Sequence, residues 1–84
     1  MEYRLLIDME VIEVLQTLRP AIRQGLLKHF RRLQEYPSAH SDYWETDSTG
    51  RTLDVSVNSG FAIFYWEDFA DRHVKIMSLK PADV

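Results

Sequence analysis

Two runs of β-forming residues separated by Ser59-Gly60 constrain the fold of this chain more than any other stretch. From Arg51 to Asn58 the residues alternate, with Leu53, Val55 and Val57 on one face and Asp54, Ser56 and Asn58 on the other. That is the period-2 signature of a half-buried strand. Phe61 to Glu67 follows, apolar on both faces as a central strand is. Ser59-Gly60 fits a two-residue hairpin loop, because glycine reaches positive φ without a steric penalty. With that loop Asn58 pairs with Phe61, and Leu53, Val55 and Val57 share a face with Ala62, Phe64 and Trp66. This face is expected to pack on helices. The other, with Asp54, Ser56, Phe61, Ile63 and Tyr65 joined by His73, Lys75 and Met77, is expected to stay open. A one-residue slip would exchange the two faces.

The flanking segments complete an α+β pattern. Glu2 to Ile7 reads as a strand, and Asp8 caps the helix after it by accepting from free first-turn amides. Val11, Val14, Leu15 and Leu18 recur at helical spacing, and Pro20 disfavours helical geometry at Arg19. The same proline suits the first turn of a second helix, running to about Tyr36, with Ile22, Leu26, Phe30 and Leu33 on one face. Gly25 weakens that helix unless a neighbour approaches closely there. Pro37 stops it, and Ser38 to Ser41 is loop. Asp42 to Thr46 forms a short strand, Asp47 to Gly50 a turn, Phe69 to Arg72 another turn, and His73 to Leu79 the last strand. The expected architecture is an N-terminal strand, then a two-helix hairpin packed on one face of a mainly antiparallel sheet.

Length and charge bound the function. The chain has 84 residues, so residues 1–84 are expected to be a single domain with a modest core. It has no cysteine, hence no disulfide and no thiol nucleophile, which fits a reducing cytoplasm. No apolar run approaches the roughly 20 residues that span a bilayer, and no signal peptide is expected. The net charge is −3, but five cations and no acid lie between Arg19 and Arg32. The rest of the chain holds the other five cations against all thirteen acids. Direct nucleic-acid binding by the isolated chain is disfavoured, while a basic patch on one element is not.

Individual residues suggest several sites. Tyr65, His73 and Lys75 would meet on the open face, with His73 as an acid/base group. The plainer assignment makes Tyr65 and Lys75 a cross-strand pair. Arg51 and Arg72 sit in turns, able to grip a phosphate or a carboxylate, or to pair with Asp47, Asp68 or Asp71. Trp66 is expected in the core with Trp44 beside it, which leaves Tyr43 and Tyr65 as the aromatic residues for stacking. The acids Glu45, Asp47, Asp68 and Asp71 form no dense Asp-x-Asp-x-Asp loop, and His29 and His40 make no i, i+4 pair. No metal site and no cofactor are expected.

Gly50-Arg51, the run Gly60-Phe-Ala-Ile-Phe-Tyr-Trp66 and the run Asp71-Arg-His-Val-Lys-Ile76 resemble the RelE/ParE superfamily of toxins from type II toxin–antitoxin systems. The resemblance extends over nearly the whole chain. It implies a cytoplasmic toxin neutralised by an antitoxin from an adjacent gene, and growth arrest through binding of gyrase or the ribosome. It also offers two alternatives: a ribosome-dependent messenger-RNA endoribonuclease, or a non-toxic interaction module. RelE-like cleavage uses cations on the open sheet face, which stabilise a charged transition state. By the resemblance, those positions fall at about Asp54, Ser56 and Ala62 here, and Lys80 stands near the basic residue after the last strand. The catalytic candidates are then Arg51, Tyr65, Arg72, His73, Lys75 and Lys80, in a rearranged site. Partner-binding candidates are Arg23, Lys28, Arg31, Arg32 and Tyr43, which would receive an acidic antitoxin segment.

Overall fold

A computed structural model describes residues 3–82. Five strands form one sheet in the order β1-β5-β4-β3-β2. They are β1 (Arg4–Ile7), β2 (Tyr43–Thr46), β3 (Thr52–Asn58), β4 (Phe61–Asp68) and β5 (His73–Pro81). Only the β1–β5 pair is parallel; the other three are antiparallel. Helices α1 (Met9–Thr17) and α2 (Pro20–Glu35) follow β1, and a 3-10 turn (Ser38–His40) leads into β2. The expected α+β layout is present, with its N-terminal strand and helix pair. Glu2, included in the expected first strand, lies outside the described residues.

The helix boundaries follow from local chemistry. Asp8 accepts from the Glu10 N–H at 2.9 Å and caps α1. Pro20 opens α2, where its lack of an N–H leaves no bond unmade. At Gly25 a Cβ would stand 3.1 Å from Ser59 Oγ, so the hairpin tip makes the close approach that favours glycine.

The hairpin register is the expected one, with Asn58 opposite Phe61 and Val55 opposite Phe64. Ser59 and Gly60 have φ of 54° and 82°, the two left-handed residues that a tight type I′ hairpin turn requires. The faces, however, are exchanged. The helices cover Ile63 and Tyr65, together with Val74, Ile76 and Leu79 of β5 and Val11, Leu15, Leu26, Phe30 and Leu33 from the helices. Leu53, Val55, Ala62 and Phe64 form a second, smaller cluster on the opposite face, flanked by Trp66, Met77 and Ala82.

Two features explain the exchange. The polar side of β3 is satisfied under the helices, because His29 Nε2 and Ser56 Oγ lie 2.7 Å apart and Ser41 Oγ donates to Asp54 at 2.9 Å. The second is a bulge in β5. Phe64 pairs with Ser78 and Tyr65 with Ile76, so Met77 is an extra residue that faces the outer cluster. The strict alternation of Val74 and Ile76 against His73 and Lys75 therefore decides which side of the sheet is inner.

Candidate functional site

The outer face of the sheet gathers most of the cations of the β-half of the chain. Arg51, just before β3, lays its guanidinium over the Trp66 ring, 4.3 Å from the centroid. Lys75 reaches the same ring at 4.9 Å, and Lys80 stands over Phe64 at 5.1 Å. The register explains the grouping, since Trp66 pairs with Lys75 and Ala62 with Lys80. A cation over an aromatic face is attracted by the ring quadrupole. Lys75 also pairs with Asp68 at 3.3 Å. The Asp71 N–H holds the Asp68 carboxyl below its ordinary range, and Lys75 adds to the effect.

Beside Lys75 a shallow hollow of about 160 Å³ is lined by Leu6, Ile7, Asp8, Ile76 and Met77. Small-molecule sites usually enclose roughly 300–1,000 Å³. This hollow falls below that range.

The sequence candidates separate into those on this face and those elsewhere. Arg51, Lys75 and Lys80 lie together, and the alternation of β5 puts His73 on the Lys75 side, opposite Asp68 in register. His73 Nδ1 is buried without a hydrogen-bond partner among the described residues. Arg72 occupies the β4–β5 turn at φ 57°, and its carbonyl accepts from the Arg4 N–H at 2.9 Å. It makes none of the outer-face ring contacts.

Tyr65 is the main correction. It is 0% exposed on the inner face, where its hydroxyl donates to the Pro37 carbonyl, and burial pushes its ionisation well above the ordinary tyrosine range. Tyr65 and Lys75 therefore point to opposite sides of the sheet and form no common site. Asp54 and Ser56, expected on the open face, are turned under the helices instead. Trp44, expected against the core, is 68% exposed, and Trp66 belongs to the outer cluster rather than the core under the helices.

His29, weighed in the sequence only as half of a metal pair with His40, has a different place in the structure. It is buried against Ser56, its Nδ1 has no partner among the described residues, and burial with the nearby His40 and Arg32 lowers its proton affinity. The available signal was its place on the apolar stripe of α2, between Leu26 and Leu33. Ser56 beneath it is 1% exposed, which makes the pair a structural contact rather than a reachable nucleophile.

The partner-binding candidates also divide. Lys28, Arg31 and Arg32 are exposed on α2 and Arg23 is half-buried there. Tyr43 lies on the other side of the sheet, opposite Val55 of the outer cluster.

Comparison with known proteins gives a consistent picture of the fold. No family model matches the chain, and no curated protein matches it by sequence. Among solved structures, a chain of the archaeal RelE–RelB complex from Pyrococcus horikoshii OT3 superposes with a TM-score of 0.78 at 24% identity, over 96% of each chain. E. coli toxin RelE, a double arginine-to-alanine variant in the free state, superposes with a TM-score of 0.69 at 19% identity. That match takes in 99% of this chain and 86% of E. coli RelE. The fold is that of RelE. Within this RelE fold the outer sheet face carries Arg51, Lys75 and Lys80 on Trp66 and Phe64. No helix among the described residues is long and apolar enough to cross a membrane.

Proposed function

We propose that this chain is the toxin of a toxin–antitoxin pair. It acts in the cytoplasm by binding a bacterial target, gyrase or the ribosome, and an antitoxin encoded beside it keeps it silent. The RelE fold over nearly the whole chain supports the toxin reading, and one of its structural neighbours comes from a RelE–RelB complex. The outer face is the observation that carries the reading. Its three cations are seated on aromatic rings, which gives a shallow, charged surface made for contact with a large partner. Two groups with proton-transfer chemistry, Tyr65 and His29, are turned inwards.

Expression with and without the product of the adjacent reading frame tests this. The toxin reading predicts growth arrest alone and rescue by co-expression. No arrest in either case overturns it, and partner binding without arrest marks a non-toxic interaction module.

A second reading has its own support. Arg51, Lys75 and Lys80 flank two aromatic rings, a combination suited to the phosphates and bases of single-stranded RNA. An endoribonuclease acting on messenger RNA at the ribosome would use these cations to stabilise a charged transition state. Mapping messenger-RNA ends after induction separates the two: new ends support cleavage, and an intact transcript pool supports action by contact.

A further inference from the structure

His29 and His40 meet on the helix side of the sheet, away from the cations of the outer face. His29 comes from the apolar stripe of α2 and is 6% exposed, while His40 ends the 3-10 turn and is half-buried beside it. Their ring centroids are 5.9 Å apart, with the planes crossing at 66°. The spacing in sequence offered no metal pair, but the turn after Pro37 brings the two rings together. His29 Nε2 is taken by Ser56 Oγ at 2.7 Å, and its Nδ1 is buried with no hydrogen-bond partner among the described residues. With Nε2–H donating to Ser56, Nδ1 keeps a free lone pair. A buried polar atom without a partner is costly to a fold, so this nitrogen calls for a ligand.

We propose that His29 and His40 form a two-imidazole site for a divalent transition ion such as zinc, with His29 Nδ1 as the buried ligand. An ion about 2.1 Å from one nitrogen of each ring stands roughly 3.2 Å from each centroid, and near-tetrahedral ligation then sets the centroids roughly 5–6 Å apart. The observed separation fits that geometry. Ser56 has the place of the outer partner that fixes the tautomer and orientation of a ligating imidazole. His40 is held by a turn anchored on both sides. Tyr65 donates to the Pro37 carbonyl, Ser38 Oγ donates to Glu67 at 3.1 Å, and Ser41 Oγ donates to Asp54 at 2.9 Å. Nitrogen ligands without any cysteine select zinc, nickel or copper over magnesium and calcium, which take oxygen. Among the described residues no third acid or histidine completes the set, so water fills the remaining positions. The charges facing His29 oppose each other: Arg32 of α2 repels a cation there and Asp42, just after the turn, attracts one. A bound ion would clip the turn to α2 and stabilise the folded chain.

The test uses the full chain without a histidine tag, titrated with zinc in a calorimeter and melted with and without it. We expect one zinc per chain, and at free zinc about 100 times Kd a rise in Tm of roughly 10–20 °C. His40→Gln, at a half-buried position, should fold and lose both binding and the rise in Tm. Ser56→Ala should weaken binding by about tenfold, the loss usual for an outer partner of a ligating histidine. His73→Gln, which alters the histidine on the outer face, should bind zinc as the wild type does. Magnetic resonance of the imidazole ring protons gives a reading that no variant has to survive folding to supply: zinc should shift the His29 and His40 signals and leave His73 in place.

Absence of one-to-one zinc binding by the wild type overturns the proposal, as does full binding by a folded His40→Gln variant. Weak binding at several sites that persists without His40 marks an adventitious ion only and also overturns it. Equal binding of magnesium does the same, because it would assign the ion to carboxylates. The site lies apart from Arg51, Lys75 and Lys80, so none of these outcomes depends on the toxin reading.

Discussion

Replacing Tyr65 with phenylalanine separates structure from chemistry at the residue that sequence reasoning placed in the site. Tyr65 has no exposed surface, and its hydroxyl donates to the Pro37 carbonyl at the end of α2. Tyr65→Phe keeps the ring and leaves that carbonyl without its donor inside the protein. An unsatisfied buried acceptor costs about 1–3 kcal/mol. For a domain of this size each kcal/mol lowers Tm by roughly 4–8 °C, so a drop of about 10 °C is expected. Alkaline pH adds a second signature. Burial raises the Tyr65 ionisation in the folded state, so its contribution to stability is complete below about pH 10 and is lost as pH rises beyond that. The phenylalanine variant should lose this part of the alkaline slope. Thermal melts between pH 7 and 11 measure both effects, and the growth assay at a permissive temperature should be unchanged. An unaltered Tm with loss of growth arrest would refute the reasoning, because it would make Tyr65 a functional group.

His29 predicts the opposite slope. Its folded proton affinity is lowered, so the unfolded chain takes the proton more readily and stability falls as pH drops below about 6.5; urea melts at pH 7.5 and 5.5 should show this, and His29→Gln should flatten it. Val55→Ala removes two fully buried methyl groups from the outer cluster and should cost about 2 kcal/mol, whereas Val57→Ala, at a position 44% exposed, should stay within about 0.5 kcal/mol. Gly60→Ala forces a side chain into a left-handed φ of 82° and should cost about 1 kcal/mol, read from the same melts.

The hairpin and its register were legible in the sequence because Ser59-Gly60 admits one tight turn and the alternation of β3 is clean. The choice of inner face was not. β4 is apolar on both sides, so it carries no preference, and the polar side of β3 looked like a solvent face. That side is buried because His29, a polar residue on an apolar helix stripe, reaches Ser56, and Ser41 reaches Asp54. The register of β5 could have supplied the answer, but the extra residue at Met77 puts Tyr65 opposite Ile76 rather than Met77. Of the site, the cations Arg51, Lys75 and Lys80 were legible individually; their meeting on Trp66 and Phe64 followed only once the faces were exchanged.

The outer face is the central claim, and the triple variant Arg51→Ala, Lys75→Ala and Lys80→Ala tests it most directly. Growth of cells expressing it without the partner is the measurement, beside a melt showing that the fold persists. Loss of arrest by a folded variant is the predicted result. Full arrest by that variant would contradict the assignment of this face to the target.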